Sequence, residues 1–118
     1  SPAMTLFRLF LGICLIAIVA YTSATIANHG WNLLPVFFGD MAAMGWPGQF
    51  NLDFMTMLAL SAIWVAWRHQ FSAGGLGLAV LAFFGGMLFL SIYLLIHSHR
   101  TKGDVKTLLL GEARARQA

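Results

Sequence analysis

The chain has 118 residues, of which 59% are hydrophobic and only 9% charged, with seven Lys and Arg against four Asp and Glu. Soluble domains carry about 25% charged residues, and short chains bury a smaller fraction of their surface than long ones. A water-soluble core of this size could not hide so much apolar surface, so the composition points to a single integral membrane domain.

Ser1-Pro2-Ala3 ahead of Met4 reads as the remnant of a cleaved tag, with Met4 as the expected native start. The first apolar segment, about 6–27 (LFRLFLGICLIAIVAYTSATIA), is longer than the apolar region of a signal peptide. Asn28-His29-Gly30 is also a poor cleavage site, so the segment is expected to remain as a span. Arg8 near its start is expected to snorkel outward. Cys14 is the only cysteine, so no internal disulfide forms, and it should pack as a small hydrophobe.

The next stretch, about 31–46, is apolar but differently built. Its roughly 24 Å as a helix falls short of the ~30 Å hydrocarbon core. Pro35 and Pro47 punctuate it, Gly39-Asp40 interrupts it, and Trp31 and Trp46 are of the type that settles at headgroup level. A central aspartate costs about 2.5–3.5 kcal/mol on the insertion scale. An interfacial or re-entrant segment is expected here rather than a crossing. Two further spans are expected at about 52–67 (LDFMTMLALSAIWVAW) and 76–96 (LGLAVLAFFGGMLFLSIYLLI). In Asn51-Leu52-Asp53, either polar side chain is expected to cap the start of the second span, and Arg68-His69 to anchor its end beside Trp64 and Trp67. The basic tail, about 98–118, contains one apolar knot, Leu108-Leu109-Leu110, suited either to a short helix on anionic lipid or to a frayed terminus.

The fold class expected is thus all-α integral membrane, with three transmembrane helices and an interfacial or re-entrant segment between the first two. Three crossings place Arg8 and Arg68 on one face, and Arg100, Lys102, Lys106, Arg114 and Arg116 on the other. Positive-inside bias then predicts a cytoplasmic tail and an external N-terminus.

Small residues recur at helical spacing in every span: Ala17, Ala20, Ala24 and Ala27 in the first, Ala59, Ala62 and Ala66 in the second, Gly75, Ala79, Ala82 and Gly86 in the third. Such stripes let backbones approach closely where lipid removes the hydrophobic drive. They serve packing within the chain, or docking to a second copy or a larger membrane partner.

The same topology collects Asn28, His29, Asp40, Asn51, Asp53, His97 and His99 on the tail face. His29, Asp40, Asp53 and His97 are candidate metal ligands or an acid–base set, since His and carboxylate are common ligand types. No ligand spacing supports them, and His97 and His99 point about 200° apart on a helix. Phe37, Phe38, Trp46 and Tyr93 are candidates to line a site for a lipid, quinone or isoprenoid. No motif implies a cofactor, and no basic–aromatic interleaving suggests nucleic acid.

The run FNLDF (50–54), the Trp-rich second span, GGMLFLSIYLL (85–95) and the basic tail together resemble a family of small uncharacterised bacterial inner-membrane proteins with three predicted spans. The similarity covers roughly 50–111. It implies a bacterial inner-membrane location and an amphipathic segment before the second span, and it brings no catalytic or binding residue. The reading at this level is a non-enzymatic membrane protein that self-associates or docks through its small-residue faces. The alternatives are a lipid, quinone or isoprenoid binder, and an interfacial lipid-modifying or metal-dependent enzyme.

Overall fold

In a computed structural model of residues 1–118, the chain is all-α with no strand. The helices are α1 (Pro2–His29), α2 (Leu33–Ala42), α3 (Trp46–Arg68), α4 (Ala73–Arg100), α5 (Val105–Leu110) and α6 (Glu112–Gln117). By length and composition, α1, α3 and α4 are each able to cross a membrane, so this is a multi-pass membrane protein.

Local chemistry sets the helix starts. Ser1 caps α1, its hydroxyl accepting from the Met4 amide at 3.2 Å, and Pro2 occupies the first turn. Pro47 lies in the first turn of α3, which therefore begins several residues earlier than expected. Asn51 and Asp53 consequently lie inside α3, and neither caps it. The Asn51 amide instead donates to the Phe37 carbonyl of α2 at 3.0 Å. A Cβ at Gly48 would collide with the Asp40 and Met41 backbone, so glycine there lets α2 and α3 meet closely. At about 15 Å, α2 is too short to cross a bilayer.

The decisive feature is in α4. Gly86 has φ 53° and ψ −136°, outside the helical region. A straight α4 would put Tyr93 about 30 Å from Ala73. Yet His69, only four residues before Ala73, touches Tyr93 and lies beside His97. The two halves, 73–85 and 87–100, therefore run back along each other, and Leu78 and Phe89 pack on one core of Val65, Ala82 and Tyr93. The reversal lies against Phe54 and Leu58 of α3, about 15–21 Å along that helix from Arg68.

This reversal corrects the expected topology. Both ends of α4 lie at the Arg68 end of the bundle, and Arg8 of α1 bonds to Ser98 there. The N-terminus and the tail thus share one end instead of occupying opposite faces. All seven Lys and Arg residues gather there: Arg8, Arg68, Arg100, Lys102, Lys106, Arg114 and Arg116. His97 and His99 are at this end too, while His29, Asp40 and Asp53 are at the other.

The small-residue stripes divide as well. Ala66, Gly75 and Ala82 are buried, and Ala59, Ala62, Ala79 and Gly86 are half-buried between α3 and α4. Ala17, Ala20, Ala24 and Ala27 of α1 are exposed. Only 13 of 118 residues are buried, which leaves most of the apolar surface for lipid to cover.

Gly86→Ala should be destabilising by about 1–3 kcal/mol, because a side chain is disfavoured at that backbone conformation and its Cβ would press Phe54 at 3.3 Å. Gly77→Ala, with nothing within 4 Å of the added carbon, should be neutral or stabilising. Thermal unfolding of both variants in one detergent checks the difference.

Candidate functional site

Arg68, the last residue of α3, is 7% exposed. Its Nε donates to the Leu108 carbonyl at 2.7 Å, Nη1 to the Tyr93 hydroxyl at 3.1 Å and Nη2 to the Thr107 carbonyl at 3.4 Å. All three acceptors are neutral. Two of them, the Thr107 and Leu108 carbonyls, lie near the C-terminal, negative dipole end of α5; Thr107 also accepts from the Gly111 amide at 2.9 Å, whereas Leu108 has no backbone donor. Trp64 Nε1 donates to the next carbonyl, Leu109, at 3.0 Å. A six-residue helix would not persist alone; α3 holds this one by supplying the donors it lacks.

The tail is accordingly folded onto the bundle rather than frayed. Asp104 caps α5 by accepting from the Thr107 amide at 3.1 Å and from its hydroxyl, and these bonds hold its carboxyl below the ordinary range. The Arg114 guanidinium lies 4.0 Å from the Trp67 ring centroid, and its Nη1 donates to the Trp67 carbonyl. Arg8, expected to snorkel, instead clips α1 to α4 through the Ser98 hydroxyl at 3.1 Å and carbonyl at 3.0 Å.

Tyr93 links the helices chemically. Its hydroxyl accepts from Arg68 and lies 2.6 Å from His69 Nε2. Donating its own proton to that nitrogen satisfies both contacts, which assigns the imidazole proton to Nδ1. The His97 ring is 4.3 Å from Tyr93 and 5.8 Å from His69. Burial, followed by the charge of Arg68, lowers the His69 pKa from 6.5, so the ring is neutral at pH 7.

Two cavities adjoin at this cluster. One, of about 240 Å³, has no hydrophobic lining and is formed by Arg68, His69, His97, Arg100, Thr101, Gly111 and Glu112. The other, of about 300 Å³, runs between the halves of α4 over Leu78, Phe89, Ile92 and Ile96. They share His69, His97 and Arg100. A polar, cation-rich chamber thus lies beside an apolar groove, and the pair matches an amphiphile in polarity. A separate cleft of about 630 Å³ lies at the far end, between α1 and α2, lined by Tyr21, Thr25, His29 and Trp31 among others.

The residues chosen from the sequence are not assembled as expected. Phe37, bonded to Asn51, lies about 25 Å along α3 from the Arg68 end, and Trp46 is further still. Phe37, Phe38 and Trp46 therefore do not share a pocket with Tyr93. His97 is likewise separated from His29, Asp40 and Asp53, and no three His, Cys, Asp or Glu side chains are close enough to hold a metal. The polar set once collected on a single face is split between the two ends because α4 turns back. Arg68 and His69, read as an end anchor, instead build the site. The signal available for them was the four-residue spacing of Tyr93 and His97 on one helix face. Their meeting with Arg68 depended on the reversal. No family model, curated protein or solved structure matches this chain.

The neutral His69 gives a pH dependence of definite sign. In the unfolded chain it takes up a proton near pH 6.5, and in the fold only at lower pH. The unfolded state binds more protons in that window, so stability is complete above about pH 6.5 and falls as pH drops through it. Arg68, His97, Arg100 and Glu112 face the same chamber. His69→Gln keeps an acceptor for Tyr93 without titrating. The thermal midpoint should drop less between about pH 7.5 and 5.5 in this variant than in the parent.

Proposed function

We propose that this chain is a membrane protein that binds an amphiphilic lipid at its basic end, polar group in the chamber and chain in the groove. The supporting observation is that His69, His97 and Arg100 line both cavities, which sets the polar chamber directly beside the apolar groove. A non-polar ligand would leave the chamber's donors unmatched, and a purely polar one would leave the groove unused. Ile92 and Ile96, both more than 40% exposed, line that groove. Native mass spectrometry from mild detergent should find one retained amphiphile per chain. Ile96→Trp, which fills the groove, should reduce its retention at least fivefold. Undiminished retention in that variant would remove the reading.

In a bilayer, α1 and α3 cross while α4 dips in as a helical hairpin and returns. The gathering of all the cations at one end supports, by positive-inside bias, a cytoplasmic location for both termini, and the family resemblance supports a bacterial inner membrane. Protease protection in oriented vesicles, with a tag on each terminus in turn, should give the same sidedness for both. Opposite sidedness would restore three full crossings.

Self-association is a second reading, favoured by the exposed Ala17–Ala27 stripe of α1, the one stripe left without a partner helix. The same mass spectra report it: dimers that persist in the parent and vanish in Ala20→Leu would support it, and monomers throughout would discard it.

A further inference from the structure

Resting on the amphiphile reading, the charges of the chamber specify the headgroup. Arg68 has five N–H donors and uses three of them on protein acceptors. Its charge meets no carboxylate in those bonds. Arg100, exposed at the end of α4, lines both the chamber and the groove. Guanidinium groups are pure donors, and their planar forks match phosphate oxygens in geometry and charge. The position at the mouth of an apolar groove is where the phosphate of a lipid lies when its chains point into the bilayer.

One acidic group shares this chamber. Glu112 is the first residue of α6, exposed, and Arg68 does not bond to it. A purely anionic headgroup would meet its repulsion, whereas a headgroup carrying both a phosphate and an ammonium would use both signs. A primary ammonium also offers N–H donors to the carboxylate, which a quaternary one lacks. The neutral His69 adds no competing positive charge beside Arg68 at pH 7.

We infer that the chamber selects a phospholipid with an ethanolamine-type headgroup, its phosphate held by Arg68 and Arg100 and its primary ammonium by Glu112. The groove between the halves of α4 takes one acyl chain. The inference follows from the pairing of two guanidiniums with one carboxylate at the mouth of an apolar groove.

The test measures lipid retention by native mass spectrometry from micelles doped with phosphatidylethanolamine, phosphatidylglycerol or phosphatidylcholine. The full chain is compared with Arg100→Gln, Glu112→Gln and Ile96→Trp. Arg100 and Glu112 are exposed, and Arg68 rather than Arg100 holds the tail, so both charge variants should fold. The parent should retain phosphatidylethanolamine at least fivefold over the other two. Glu112→Gln should reverse the preference toward phosphatidylglycerol, and Arg100→Gln should weaken all three at least fivefold. Equal retention of the three lipids by the parent, or an unchanged preference in Glu112→Gln, overturns the headgroup assignment while leaving the groove reading intact. Full retention in Ile96→Trp overturns the groove reading itself. Soluble phosphoethanolamine at about 10 mM should not displace the lipid. Displacement would assign the chamber to a water-soluble phosphate compound and overturn the lipid source.

Discussion

Gly86 occupies a backbone conformation that a side chain resists, and the rest of the molecule depends on the chain turning there. Inside a bilayer, irregular backbone is tolerated only where protein covers it or water reaches it. Phe54 and Leu58 of α3 lie against the turn and provide that cover. The small residues around it permit the close packing: Ala82 is fully buried, and Ala79 and Gly86 are half-buried. A stripe that suggests a helix–helix interface serves here to let one helix fold upon itself and upon its neighbour. The reversal also brings both ends of α4 to Arg68, without which neither the Tyr93 contact nor the docked tail would exist.

Arg68 is the second organising element, and its energetics differ from those of a surface anchor. A buried guanidinium without a carboxylate needs other compensation for lost hydration. It finds this in the orphan Leu108 carbonyl of α5, the Thr107 carbonyl beside it and the Tyr93 hydroxyl. The arrangement satisfies the arginine and the short helix together, since each has what the other lacks. It also explains why a tail of two six-residue helices is ordered. Tyr93 passes the constraint on to His69, so the end of α3, the second half of α4 and the tail behave as one polar unit above an apolar groove.

How much of this was legible in the sequence differs from residue to residue. Pro47 was visible as punctuation, but its meaning was not: a proline can close one segment or open the next. Taken as a close, it made Asn51 and Asp53 caps; in the fold it opens α3 and both lie inside the helix. Tyr93 and His97 were legible as a polar continuation of the small-residue stripe. Their partners were not, because Arg68-His69 at a helix end is also the pattern of an ordinary interfacial anchor. The exposed alanines of α1 and the packed ones of α3 and α4 have the same spacing, so periodicity could not distinguish them.

Composition and hydropathy alone determined that this is an all-α membrane protein, because apolar runs of this length have few other stable forms. They also determined that the segment before α3 is too short to cross, a matter of residues and rise. The tertiary structure decided which end each residue occupies. One reversal at Gly86 brings the tail, and with it five of the seven basic residues, to the end of the bundle that holds the N-terminus. Hydropathy counts residues along the chain and is blind to direction, and a mostly apolar helix of 28 residues reads alike whether it crosses or returns. The direction is set by a single torsion pair and the side chains packed against it.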